Sequence, residues 1–592
     1  LDIFKPEIER NNALIHPAGS PSYHLPPAGS ASPTPVEAGE QGGASRVCDE
    51  TVPITLRLQS SVVEGDTTVL YSRKKLEEIL ENRRFLISDE QGPGFSGEEK
   101  EEILSGSQKA FNNKLNVAVQ ADEIISMYEN LLGGPLQWPS AYFAHYVRET
   151  DYAREKIASE VPDQALREKY ESFIRDLSRS NESYRHDNTR VFITIGGGEE
   201  RMPTFNVGRL EVNLTPYPSR KTAITTIYPA AESDSLAHEL GHLCHASLRP
   251  GWDESKYNSP GDFETCALRE AFADLTALFH SLGSSDERQK VLEETGGDVT
   301  KSSRATRISE EGGGDMLYRY FDEKGTPPAK RFLRELANDF VYTRIEEAPP
   351  CNPGEPSVEA LSRDIYSYSQ VFSGAVYDII TALHKKLLEQ GMESNRALGE
   401  ASATAAELLA RSIEISPWWK PDFKAMAQCM LHTDRTEHNG GCRDILEDVF
   451  CTRNILSADD IRTMEETQSR LPAMTLKDIP SAPEDALRYL ISKGLANDEK
   501  GESCSVVGVR KTGRGETVVV YSFEKPFNGD TSELPFDLST AYYADICDLT
   551  PDVREKSGLV MKFDARGKLV YAQKESFHPF DRSQHYLTLT RE

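Results

Sequence analysis

The sequence predicts an α+β protein. Helical patterning dominates residues 98–182 and 264–457, strand-like pieces lie between them, and residues 486–592 alternate in period two. A chain of 592 residues with 38% hydrophobic content is long enough for more than one core.

The elements follow in order. Residues 1–50 read as an extended or disordered arm, because HPAGSPSYHLPPAGSASPTPVEAGEQGGASR (16–46) cannot bury enough apolar surface to offset its ordering entropy. A small N-terminal module is expected over 51–109, with two strands and a helix in TVPITLRLQSSVVEGDTTVLYSRKKLEEIL. Phe111, Leu115, Val119 and Ile124 then space out along a helix. RVFITIGGG, GRLEVNLTP and KTAITTIYP read as strands and lead straight into SLAHELGHLCHA (235–246). The reading from 264 to 457 is helical again, broken by EEAPPCNPGEP near 350. Residues 458–485 are polar and read as a linker. The rest, 486–592, reads as a small α+β C-terminal domain with a hairpin at Ala565, Arg566 and Gly567.

The formal net charge is -28, so no basic excess exists to neutralise phosphates and nucleic acid is not an expected partner. No run approaches the roughly eighteen apolar residues that a membrane helix needs. The nine cysteines are too sparse for a dense disulfide framework. The opening LDIFKPEIER has no apolar signal core, and the sequons at Asn181 and Asn213 matter only in a eukaryotic secretory setting, so the compartment stays open.

The chemistry concentrates in SLAHELGHLCHA. His238 and His242 are four apart, which on a helix stacks them on one face, where two imidazoles can aim at one point. Glu239 lies about 100° round, placed to face a water without being a ligand. That is the HExxH pattern of a zinc helix, although a buried helix with incidental histidines is the plainer alternative. Between His242 and Glu270 lie 27 residues (243–269), and from 264 a second helix is expected. Its core stripe is Leu268, Phe272, Leu275 and Phe279; a second stripe holds Glu270 and Asp274 among Ala267, Ala271, Ala277 and Leu278. Two carboxylates on a buried face are costly unless a cation compensates them, and zinc does so. Small residues beside Glu270, with Gly241 opposite, allow close helix approach. Glu270 is therefore the expected third ligand, and Asp274 the partner for the free ring N–H of a bound histidine.

HELGH followed by EAFAD resembles the gluzincin metallopeptidases, the thermolysin and fungalysin clan, in which HExxH is paired with a downstream Glu-x-x-x-Asp helix. The likeness covers 110–457. AFNNKLNVAVQADEIISMYENLLG (110–133) looks like the helix preceding the clan's edge strands. YSYSQVFSGAVYDIITALH (366–384) is similar to the helix after the active-site loop, and FKAMAQCMLHTDRTEHNGGCRDILEDVF (423–450) to the closing helix pair. GPLQWPSAYFAHYVRETDYAREK looks like a family-specific helical insert. The resemblance implies a thermolysin-like two-lobed catalytic domain, mixed α/β first and helical second, holding one catalytic Zn2+ between the lobes. It implies an endopeptidase acting on protein or peptide substrates, with Glu239 as general base, and it favours a secreted or extracytoplasmic setting. The Gly-x-Met-Glu-Asn aminopeptidase signature is absent.

One departure stands out. Thermolysin-like members place a histidine just before the helix that here is expected to open near QVFSGAVYD. Tyr366 matches that position, with Tyr368 two residues on along a strand-like approach. A phenol can donate to an oxyanion; it can equally be packing. A catalytically weak homologue acting as a binding or regulatory module is the alternative function. His245, on the same stripe as His238 and His242, is a rival ligand that sits a turn too far along, and Asp262 and Glu264 are further ones. Cys429, His432, His438 and Cys442 superficially suit a structural zinc but are spaced too closely; a Cys429–Cys442 disulfide is the better reading of the two. Cys244 and Cys266 read as core residues.

Overall fold

The computed structural model describes residues 51–56, 67–106, 112–138, 191–195, 203–206, 211–218, 226–249, 252, 260–309, 332–350, 360–497, 502–526 and 553–581, apart from 83, 90, 91, 137 and 513. The expected arm and the helical insert beyond Trp138 lie outside them. The architecture is mixed α+β, with twelve α-helices, several small sheets and no closed barrel among the described residues.

A two-stranded antiparallel ladder, β1 (Thr51–Leu56) and β2 (Thr67–Ser72), runs into α1 (Arg73–Leu80), capped by the Ser72 hydroxyl. Next come β3 (Phe85–Asp89), β4 (Gly92–Pro93), α2 (Gly97–Leu104) and α3 (Asn113–Leu132). Leu115, Val119 and Ile124 are fully buried on α3, as their spacing predicts, while Phe111 is outside the described residues. Asn116 and Gln120 on α3 are buried as well and hold the turn before residue 233: Asn116 Nδ2 donates to Ala230 O at 3.0 Å and Ser233 Oγ to Gln120 Oε1 at 2.5 Å. β3, β5 (Val191–Thr194), β6 (Thr204–Asn206) and β7 (Glu211–Asn213) complete a five-stranded sheet with β4, in the order β4-β3-β5-β7-β6. Its three inner strands are parallel and both edges antiparallel. Asn213 is buried, its side-chain oxygen accepting the Thr215 N–H at 3.0 Å.

After the short pair β8 (Tyr217–Pro218) and β9 (Thr226–Ile227) come α4 (Ser233–Leu248), α5 (Pro260–Gly283) and α6 (Ser285–Thr295). The short strands β10 (Arg307–Ile308) and β11 (Arg334–Glu335) pair antiparallel beneath them. The helical half continues with α7 (Ile365–Glu389), α8 (Ser394–Ile415), α9 (Phe423–Glu437) and α10 (Arg443–Thr452). One apolar cluster runs unbroken from β1 through these helices to Ile461.

α7 corrects an expectation. It starts at Ile365, not near Gln370, because Asp364 caps it by accepting the N–H groups of Tyr366 (2.8 Å) and Ser367 (3.1 Å). Tyr366 and Tyr368 therefore sit in a first helical turn, about 200° apart, and not side by side on a strand.

Residues 458–485, read from the sequence as a linker, carry α11 (Ala458–Ser469); Met474 and Ile479 join a second apolar cluster with the C-terminal elements. Those elements are α12 (Pro483–Ser492) and a sheet of β12 (Ser503–Lys511), β13 (Thr517–Pro526), β14 (Val553–Phe563) and β15 (Leu569–Lys574), with β16 (His578–Asp581) beside β14. The hairpin at 565–567 joins β14 to β15, with Gly567 at φ +78°. No helix among the described residues is long and apolar enough to cross a membrane.

Candidate metal centre

α4 and α5 approach almost backbone to backbone. At Gly241 a Cβ would lie 2.8 Å from both Ala273 Cα and Thr276 Oγ1, so only glycine fits there. This contact brings Glu270 under the two histidines. His238 Nε2 is 3.1 Å from His242 Nε2 and 3.3 Å from Glu270 Oε2, and His242 Nε2 is 3.6 Å from Glu270 Oε1. Two nitrogens and a carboxylate oxygen around a tetrahedral zinc, with bonds of about 2.0–2.1 Å, stand about 3.3 Å apart. The observed spacings match that edge. Among the described residues this trio is the group whose atoms converge as metal ligands do. Its side chains are 10%, 11% and 13% exposed, so the trio is nearly buried.

The surrounding charges ask for a cation at this point. Burial opposes a charge on His238, but hydrogen bonds to Asp274 and Glu270 outweigh it and lift its pKa to about 10. Burial drops His242 to about 3, against the attraction of Glu270. Burial alone would raise Glu270, yet the two histidines hold its carboxyl well below the usual range. A proton on His238 thus does what a metal would do, satisfying an ionised carboxylate between two imidazoles. The residues fit zinc.

Asp274 is fully buried and accepts from His238 Nδ1 at 2.8 Å. That bond points Nε2 at the convergence point and fixes the tautomer. The sequence offers zinc as the cation that compensates the two buried carboxylates; the structure adds a protein counterion for Asp274. Arg334 of β11 forks onto it, Nε to Oδ2 at 2.6 Å and Nη2 to Oδ1 at 2.8 Å. Glu270 is the carboxylate left for a metal. Nothing in the sequence around RFLREL marks Arg334, which comes from 60 residues downstream.

Glu239 is buried beside the trio. Burial raises its pKa to about 7, His238 and Glu270 pulling in opposite directions, and the backbone N–H of Phe205 on β6 bonds its carboxylate. β6 is an edge strand that sequence patterning does not reveal.

Tyr366 is 44% exposed, and the Arg334 guanidinium lies 5.4 Å from its ring centre, so it stands at the rim of the site. Tyr368 does not. It is buried, donates to Thr343 O at 2.5 Å and stacks on Phe423 at 5.2 Å. His245 faces away, packed 4.5 Å from the Trp252 ring and 5.7 Å from Phe272. Glu264 is committed to Tyr342 Oη at 2.8 Å and the Phe423 N–H at 3.0 Å. The Asp262 side chain is outside the described residues.

Cys429 and Cys442 are both free thiols, so the bridge weighed for them in the sequence is not formed. Cys429 Sγ lies against Gln573 Oε1 at 3.2 Å, while Cys442 starts α10. Cys244 and Cys266 are buried core residues, as expected.

No protein-family model matches the chain, and no curated protein is significantly similar to it.

Proposed function

We propose that the protein is a zinc-dependent endopeptidase of the gluzincin type, with the sheet of β3 to β7 and the helices α7 to α10 as the two lobes of a thermolysin-like catalytic domain. The observation that carries this reading is the convergence of His238, His242 and Glu270 with Glu239 beside them, buried and tuned towards neutrality. A zinc ion held by the trio supplies a Lewis acid and lowers the pKa of a water towards 7.

The chain's own residues do the rest. Glu239 Oε takes a proton from the attacking water and returns it to the leaving amine. Asp274 and Arg334 keep His238 in one tautomer and one orientation. Tyr366 at the rim is the donor assigned to a developing oxyanion, with the buried Arg334 guanidinium, committed to Asp274, beneath its ring. β6, the sheet edge bonded to Glu239, offers backbone groups along which an extended peptide can add as a strand.

The test is hydrolysis of casein by the purified chain, with and without a chelator, beside Glu239→Gln. That variant keeps size and hydrogen bonding but cannot accept a proton. It should retain zinc and lose at least about 10² in rate. Cleavage at the parental rate by Glu239→Gln would sink the mechanism. A parent that binds zinc tightly and cuts nothing would favour the binding-module alternative.

A further inference from the structure

The C-terminal sheet is bonded to the far end of α4 through one short turn. Arg249 caps α4, with Nη1 donating to Leu248 O at 2.9 Å, Nε to Ser416 O at 3.3 Å, and Nη2 to Glu414 O. Trp252 Nε1 donates to Pro417 O at 2.9 Å while its ring covers His245. All three of these acceptors outside α4 lie in 414–417, where α8 gives way to the turn at 415–419.

The other side of that turn belongs to the sheet. Trp418 and Trp419 pack with Val518 and Val520 of β13, Val560 of β14 and Tyr571 of β15. Trp418 lies against Gly508 of β12, where a Cβ would sit 3.4 Å from its ring. Glu575, just past β15, accepts the backbone N–H of Trp419 at 2.9 Å. Arg510 of β12 pairs with the Glu414 carboxylate at 2.9 Å, so Arg249 and Arg510 grip the carbonyl and the side chain of one residue. An appended domain meets its neighbour through a polar, exchangeable contact. Here the inner face of the sheet is committed to two tryptophans and buried ion pairs.

We propose that the C-terminal sheet is a working brace of the metal helix: acting through the 415–419 turn, it holds the last turn of α4 and thereby the placing of His242 against Glu270. This rests on the metal-centre reading above. The last carbonyls of a helix have no partners within it, and terminal turns open first unless something outside holds them. His242 is seven residues before Arg249, about 10 Å along the axis. Fraying from the capped end reaches His245 in one turn and His242 in two.

The test uses the full-length chain and two substitutions confined to the sheet. Gly508→Leu presses on Trp418, and Glu575→Ala frees the Trp419 N–H. Arg514→Ala is the control, since Arg514 bridges Glu407 and Glu437 on the same interface without touching the turn. Hydrogen exchange on the metal-free protein should show residues 243–249 opening at least about tenfold faster in both sheet variants and unchanged in the control. Zinc affinity, by competition with a chromogenic chelator, should fall about tenfold in the same two variants, the low end for loss of an outer support. Trp418→Leu replaces either variant if it does not fold, with the same expectation, and Glu575→Gln, which keeps the acceptor oxygen, should restore parental exchange. Parental protection of 243–249 in the sheet variants, or equal loosening by Arg514→Ala, overturns the brace. Faster exchange with parental zinc affinity overturns its link to the metal site. If the parent binds no zinc yet the exchange pattern holds, the metal reading fails and the brace stands.

Discussion

Tyr366 and Tyr368 show how two residues of one type diverge once a cap fixes their helix. Asp364 starts α7 early, which turns the Tyr366 phenol to the rim and the Tyr368 ring into the aromatic cluster with Phe423. The two substitutions to phenylalanine should therefore fail differently. Tyr366→Phe removes one donor from the transition state, and kcat should drop about 10²–10³ with KM little changed. Tyr368→Phe leaves Thr343 O without its buried partner; it should lose roughly 1–3 kcal/mol in denaturant unfolding and keep kcat. Steady-state kinetics and urea melts on both separate the roles, and a crippled kcat in Tyr368→Phe with a normal Tyr366→Phe would reverse them. If neither lowers kcat, another group supplies the oxyanion donor. Glu270 is tested by metal analysis. Glu270→Ala should lose most bound zinc, because two imidazoles alone make a weak site, whereas Cys442→Ser should keep it. Zinc retained in Glu270→Ala would demand another third ligand, which neither His245, packed on Trp252, nor Glu264, bonded to Tyr342 and Phe423, can supply as placed.

At the scale of elements, the site is a contact between two helices, and Gly241 sets how close they come. An alanine there puts its methyl 2.8 Å from the Ala273 backbone, which cannot swing aside. Gly241→Ala should cost roughly 1–3 kcal/mol of stability and weaken zinc binding, read from urea unfolding of the metal-free chain and from chelator competition. Normal zinc affinity in that variant would mean that the helix spacing is slack. Both helices were legible in the sequence, because the i, i+4 histidines, the apolar stripe of α5 and the lone glycine are local patterns. Arg334 and β6 were not, since their roles arise from pairings with Asp274 and Glu239 across 60 and 34 residues (334 minus 274; 239 minus 205). The start of α7 misled for a local reason: YSYS looks like period two, and only the Asp364 cap decides against a strand. α11 was invisible as a helix because Ile461 is its one buried residue, so a surface helix and a linker share a polar composition. Cys429 and Cys442 suggested a bridge by spacing, but Cys429 points at the C-terminal sheet.

At the scale of the whole molecule, the seams between parts are built on buried ionisable groups, and these should set how stability depends on pH. Glu264 ties α5 to the start of α9, and Glu575 ties the C-terminal sheet to the turn at Trp419. Burial raises both carboxyls to about 7, the backbone N–H bonds they accept only partly offsetting it. Their folded-state pKa exceeds the value of 4.5 for a free glutamate, so the native state keeps protons that the unfolded chain has already lost. The stability this gives is complete below 4.5 and is lost as pH rises towards 7. His432 works the other way. Burial, with Arg435 and Lys562 nearby, lowers it to about 3, so its contribution is complete above 6.5 and is lost as pH falls towards 3. The two trends oppose each other, so the melting temperature of the parent alone is a poor readout. Differences against single variants isolate each group. The parent's melting temperature minus that of Glu575→Gln should fall as pH rises from 4.5 to 7 and then level off, because glutamine never ionises. The parent minus His432→Gln should instead rise from pH 4 to 6.5. A flat difference for Glu575→Gln across that window would show that the carboxylate is ionised in the native seam, held by Lys556 and Arg249, and that the sheet docks on a charge.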